Sequence, residues 1–160
     1  MPANLSLRLR RITPEDDSFL AGLYASTRAD ELAVTGWSEE ERATFCRRQF
    51  DAQTAHYREN YPGASLQVIE RDGASIGRLY VAHWEGEIRI MDIAILPEHR
   101  GSGIGSQLLS ELQDEARSAG KTLTIHVERF NPALRLYERL GFKMIEDKGV
   151  YLLMEWESDE

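Results

Sequence analysis

The stretch Ile88-Arg89-Ile90-Met91-Asp92-Ile93-Ala94-Ile95-Leu96-Pro97-Glu98-His99-Arg100-Gly101-Ser102-Gly103-Ile104-Gly105-Ser106 decides how this chain is read. It has the form of an apolar strand, a short turn, a glycine-rich loop and a helix that continues through Gln107-Leu108-Leu109-Ser110-Glu111-Leu112. Glycines at 101, 103 and 105 let the backbone curl with its N–H groups inward. The helix start adds orphan N–H groups and the positive end of its dipole. The combination predicts a site for a phosphate-bearing ligand.

Two familiar phosphate loops are excluded. A P-loop closes its glycine run with Lys-Ser or Lys-Thr, and here the run closes Ile104-Gly105-Ser106. A dinucleotide fingerprint needs G-x-G-x-x-G, and the third glycine is missing whether the count starts at Gly101 or Gly103. What remains is Arg100-x-x-Gly103-x-Gly105 behind a strand ending Ile-Leu-Pro. Downstream, Thr122-Leu123-Thr124-Ile125-His126-Val127 reads as a strand, followed by Asn131-Pro132-Ala133-Leu134-Arg135-Leu136-Tyr137-Glu138-Arg139-Leu140-Gly141-Phe142.

These two motifs, in this order and with one strand between them, resemble the GNAT N-acyltransferase superfamily. The first resembles its acetyl-CoA pyrophosphate loop. The second resembles its Asn-x-x-Ala-x-x-x-Tyr-x-x-x-Gly-Phe pattern, with alanine shifted to the second place after asparagine. The resemblance covers about residues 87–143.

Composition agrees with a globular domain. The chain has 160 residues with 42% hydrophobic content, enough for one domain over 1–160 burying roughly 70% of its unfolded surface. No apolar run approaches the roughly 20 residues that span a bilayer, and the first ten residues alternate rather than form a signal-peptide block. A single cysteine, Cys46, leaves no internal disulfide and favours a cytoplasmic location. The formal net charge of −8 disfavours nucleic acid and anionic lipid as partners. It suits an amine acceptor, although solubility explains it as well.

Along the chain, Ser6–Ile12 alternates as a first strand, and Thr13-Pro14-Glu15-Asp16 starts a helix expected to end near Thr27. Ser38 and Glu41 match a capping box for a second helix reaching Asn60. Strands are expected at 65–70 and 74–83, joined by Asp72-Gly73, and at 87–96. A helix to Ala119 capped by Gly120, a strand at 122–127, a helix at 132–140 and strands at 142–147 and 150–156 follow. The resemblance implies that these form a mixed, strongly twisted seven-stranded α/β sheet flanked by helices. Its fourth and fifth strands splay apart to leave a cleft for the pantetheine arm.

The resemblance also implies roles. Pyrophosphate is expected against Arg100, Gly101, Ser102, Gly103, Ile104, Gly105 and Ser106. Pantetheine and thioester are expected against the backbone of Ile93, Ala94 and Ile95, where an N–H stabilises the developing oxyanion. Tyr137 matches the tyrosine proposed to protonate the CoA sulfur, with packing against the cofactor as its alternative, and Asn131 caps its helix, bonds pantetheine or does both. His126 stands where some relatives carry a catalytic base; a half-buried structural histidine is the equal alternative. Arg89 occupies the other base position, leaving Asp92, Glu87 and Glu128 as further candidates.

The resemblance implies an acceptor site at Thr27–Trp37, Tyr57, Tyr61 and Tyr151; there Asp30 and Glu31 either pair with a cation on which Trp37 stacks, or form a solvated loop beside a core tryptophan, the reading preferred, so the sequence does not identify the acceptor. No histidine pair has metal-ligand spacing, so no metal is expected. The reading is an N-acetyltransferase moving an acetyl group from acetyl-CoA to a primary amine, small molecule or peptide, by direct attack in a ternary complex. A non-catalytic acyl-CoA-binding module is the rival, and a homodimer stays open.

Overall fold

The computed structural model describes residues 5–159. Its elements are β1 (Leu7–Arg11), α1 (Asp17–Ala33), α2 (Glu39–Asn60), β2 (Ser65–Arg71), β3 (Ala74–His83), β4 (Glu87–Ile95), α3 (Ile104–Ala119), β5 (Thr122–Glu128), α4 (Leu134–Arg139), β6 (Lys143–Asp147) and β7 (Tyr151–Trp156). The strands form one seven-stranded sheet in the order β1-β2-β3-β4-β5-β7-β6. The β4/β5 pair is parallel, whereas β1/β2, β5/β7 and β6/β7 are antiparallel. This is the mixed α/β class expected from the sequence. The chain clusters into two compact units, one of Ser6–Leu79 with Ala94–Arg100, the other chiefly of Tyr80–Ile93 with Gly101–Glu160.

In the first unit, the chain enters α1 through a 3-10 turn at Pro14–Asp16. Asp16 organises that corner. Its carboxylate accepts the Thr13 N–H at 2.8 Å and two Arg10 N–H groups at 2.7 and 2.9 Å, while Arg10 Nε donates to Glu70 on β2. The Arg10 guanidinium holds the Asp16 carboxyl at about 2. Helix α1 runs six residues past Thr27 to Ala33. Arg28 donates to both Tyr24 Oη and Glu31, and Leu32 is buried, so the amphipathic pattern continues where polar residues suggested a loop.

Helix α2 begins with the expected capping box: the Glu41 N–H donates to Ser38 Oγ and the Ser38 N–H to Glu41 Oε1. Between these helices and β2 lies a core of Leu20, Tyr24, Leu32, Cys46, Phe50 and Val68. Each such large apolar side chain contributes about 1.5–3 kcal/mol when fully buried. Asp72 and Gly73 have φ of 52° and 82°, the two left-handed residues that a type I′ hairpin needs.

In the second unit, the β4/β5 register divides side chains into two sets. Ile88 and Ile90 stand beside Leu123 and Ile125, and all four are buried. Helix α3 packs on β5 and contributes Ile104, Leu108, Leu109, Leu112 and Ala116 to the buried residues. Glu87 and Arg89 stand beside Thr122 and Thr124, with His126 next along that face. The parallel ladder ends at Ile90↔Ile125, while β4 continues to Ile95 and β5 to Glu128. The pair therefore opens toward its C-terminal end.

Phe142 is not the first residue of β6. It is buried and its N–H donates to Tyr137 O, closing α4 instead. Met144 and Glu146 oppose consecutive residues of β7, so Ile145 forms a bulge.

Candidate active site

The glycine-rich loop differs from the expectation in one respect: α3 begins at Ile104, inside the glycine run. Gly101 and Gly103 have φ of 77° and 87°, the left-handed region that only glycine enters readily. Gly105 is helical, and a Cβ there would lie 3.6 Å from Leu136 Cδ2 of α4. The N-terminal ends of α2 and α3 differ. Helix α2 satisfies its own N-terminus with a capping box and Glu39, Glu40 and Glu41 in the first turn. Helix α3 has no side-chain cap among the described residues and no acid in its first turn. Its orphan N–H groups and positive dipole end suit a phosphate group brought by a ligand.

Of the expected cofactor residues, Ile93, Gly101–Ser106 and Asn131 belong to the second unit together with Tyr137 and His126; Ala94, Ile95 and Arg100 belong to the first. Arg100 Nε donates to Ile95 O at 2.9 Å, tying off the turn behind β4. Asn131 does not cap α4, whose N-cap place is held by Ala133 with no side-chain cap; its Oδ1 accepts the Ala133 N–H at 2.8 Å in an Asx turn ahead of the helix.

Gly77 is a residue the sequence reading passed over. A Cβ built on it would lie 2.3 Å from Ala94 O and 3.2 Å from Ile95 Cα. Only glycine lets the end of β4 come this close to β3.

Tyr137 is 5% exposed and packs edge-on against Phe142 with ring centroids 5.7 Å apart. Burial, with the nearby Asp92 charge, pushes its phenol up to about 12. The phenol therefore keeps its proton throughout the working range of an enzyme. Asp92 shares the strand parity of Ile88 and Ile90, which places it with Tyr137 and not with the His126 face.

His126 belongs to a hydrogen-bonded group on the opposite face. Arg89 Nε donates to Thr124 Oγ1 at 2.7 Å, Nη2 to Glu87 Oε2 at 3.0 Å and Nη1 to His126 Nδ1 at 3.3 Å. The Thr124 hydroxyl donates in turn to Glu87 Oε2. The Arg89 guanidinium sits 5.1 Å from the Trp84 ring centroid. Burial, then the charges of Arg89 and Lys148, lower the His126 pKa, with Glu146 and Glu87 opposing.

Other expected residues fall as follows. Glu31 is paired with Arg28, and Trp37 is a half-exposed ring packed edge-on against Phe45 at 5.2 Å, not a core residue. Cys46 is buried, and desolvation raises its thiol pKa, so it remains a poor nucleophile. Among the described residues no cluster of His, Cys, Asp or Glu could hold a metal ion, and no helix is long and apolar enough to cross a membrane.

Comparison with known proteins agrees with this geometry. The model of the acetyltransferase (GNAT) domain family matches residues 62–144. An aminoalkylphosphonate N-acetyltransferase of Salmonella typhimurium is 32% identical over 146 residues, covering 84% of each chain. An L-amino acid N-acyltransferase of Escherichia coli is 44% identical over 87 residues, covering 50% of this chain and 51% of the relative. The crystal structure of PaiA N-acetyltransferase from Thermoplasma acidophilum in complex with coenzyme A superposes with a TM-score of 0.72 at 20% identity, covering 96% of this chain and all of that one. A loop shaped for phosphate, an opened parallel pair and this match over most of the sequence lead to one conclusion: the chain belongs to the GNAT acetyltransferase family and is an acetyl-CoA-dependent N-acetyltransferase.

Proposed function

We propose that residues 1–160 act as one transferase domain that acetylates the amine of a small amino acid or aminoalkylphosphonate by direct attack in a ternary complex. The observation that carries the reading is the junction of α3 and α4. Gly105, in the uncapped first turn of α3, lies against Leu136, and the next residue, Tyr137, is a buried, fully protonated phenol. The start of α3 thus packs against the helix that carries Tyr137.

Acetyl-CoA supplies the thioester. The backbone of Gly101–Ser106 receives the pyrophosphate and that of Ile93–Ile95 the pantetheine arm. The neutral amine forms the C–N bond as the C–S bond breaks, and the Tyr137 hydroxyl gives its proton to the leaving sulfur. Water then restores the phenol, and the proton lost from nitrogen balances the one gained by sulfur. A phenol near 12 is a weaker acid than a thiol near 8.5 in water, but the same dry surroundings raise the thiol too.

The acceptor class is supported by the Salmonella and Escherichia coli relatives, whose names specify an aminoalkylphosphonate and an L-amino acid. The test is thiol release from acetyl-CoA across L-amino acids, aminoalkylphosphonates, polyamines and peptides, with N-acetyl products identified by mass spectrometry. Turnover with the first two classes is expected. Turnover confined to polyamines or peptides would overturn the acceptor assignment.

A further inference from the structure

Arg89 is an obligate donor: no lone pair is available on its guanidinium. Its contact with His126 Nδ1 at 3.3 Å therefore makes Nδ1 the acceptor and leaves the proton of the neutral ring on Nε2. The guanidinium has little freedom to withdraw. Its Nε is committed to Thr124, a residue only 1% exposed, its Nη2 is committed to Glu87, and Thr124 ties Glu87 back into the same ring. A second proton on the imidazole would set an Nδ1–H against the Arg89 N–H and bring two cations together. The charged groups around the ring are Arg89 and Lys148 on one side of the balance, Glu87 and Glu146 on the other. The neutral imidazole thus carries its proton on Nε2, and its one lone pair is already engaged. This arrangement does not suit the general base that its position suggested.

We propose that Arg89 is a positioning residue that fixes His126 as an Nε2–H donor, and that this N–H binds an oxyanion carried beside the acceptor amine. Carboxylate and phosphonate share the required chemistry. The inference rests on the small-acceptor reading above. It adds that His126 holds the acceptor and that the amine arrives already neutral.

Two measurements test it. In wild-type protein labelled with 15N, a multiple-bond proton–nitrogen correlation of the His126 ring should show Nε2 protonated and Nδ1 bare at neutral pH. A protonated Nδ1 would overturn the assignment without any variant. In the second, L-amino acids and 1-aminoalkylphosphonates are compared with alkylamines of the same carbon skeleton. His126→Gln can place an amide N–H near the Nε2 position and should keep kcat/KM for the acids within a few-fold. His126→Ala should raise KM for the acids at least about 10-fold more than it raises KM for the alkylamines. A Gln variant as impaired as the Ala variant, or an Ala variant equally impaired on both acceptor sets, would identify a base and overturn the proposal. Which of the two acids responds distinguishes carboxylate from phosphonate. If no amine in any set is acetylated, the small-acceptor reading itself fails, while the ring correlation still decides the role of Arg89.

Discussion

A Cβ on Gly77 would sit 2.3 Å from the carbonyl oxygen of Ala94, closer than any side chain can tolerate against backbone. The relationship links a glycine in β3 to the stretch of β4 expected to hold the thioester arm. Gly77→Ala should push Ala94 and Ile95 aside and raise KM for acetyl-CoA about 10-fold, the loss of roughly one good hydrogen bond. Binding of 3′-phosphoadenosine diphosphate, which lacks the arm, should stay unchanged in calorimetry. Equal loss for both ligands would mean that the substitution damages the fold generally.

Ser106 stands in the first turn of α3, where no acid is present. Ser106→Glu should have effects of opposite sign on stability and binding. A carboxylate there complements the helix dipole and should stabilise the free protein by about 0.3–1 kcal/mol. The same charge should repel pyrophosphate and weaken coenzyme A by about 10-fold or more. Thermal melts and titration calorimetry read the two effects separately. A more stable protein with unchanged affinity would remove the phosphate from this helix.

Tyr137→Phe should lower turnover about 10-fold or more with little change in acetyl-CoA affinity, because only the proton donor is lost. Burial and Asp92 raise the phenol to about 12, so the protonated donor persists as pH rises. The wild-type pH profile should accordingly show no falling basic limb from this residue below about pH 11. Full activity in the phenylalanine variant would leave Tyr137 a packing residue.

The acidic limb should belong to the acceptor. The folded-state pKa of His126 lies below its ordinary value of 6.5, chiefly through burial and then Arg89. The ring is therefore neutral at neutral pH and has no free lone pair to gain. Turnover should rise with pH along the titration of the acceptor amine, and two acceptors of different amine pKa should give limbs displaced by that difference. A limb fixed for all acceptors and removed by His126→Gln would restore the base role. The same shift affects folding. Because the unfolded ring binds a proton more readily, the contribution of His126 to stability is complete above 6.5 and is lost as pH falls through the window below it.

The order of elements, the hairpin at Asp72-Gly73, the α2 capping box and both site motifs were legible because each is a local signal. The α1 boundary was not. Arg28, Asp30 and Glu31 look like loop residues in sequence, yet Arg28 bonds Tyr24 and Glu31, each about one turn away on either side, and carries the helix on to buried Leu32. Gly105 read as loop because its neighbours at 101 and 103 are loop, although its own backbone is helical. The group joining Glu87, Arg89, Thr124 and His126 depends on the β4/β5 register, in which residues 35 apart meet at Arg89 and Thr124. A single sequence carries no mark of that pairing, so position alone leaves His126 evenly between a base and a structural residue.

Under the proposed mechanism the amine attacks the thioester directly, with no acetyl group parked on the protein. Cys46, the one cysteine, is buried with a raised thiol pKa, which argues against a thioester relay. Initial rates should be measured over a grid of acetyl-CoA and acceptor concentrations, with intact-protein mass recorded after acetyl-CoA alone. Intersecting double-reciprocal lines and an unmodified protein mass are the predicted result. Parallel lines, with a protein-bound acetyl group that passes to added amine, would rule out direct attack.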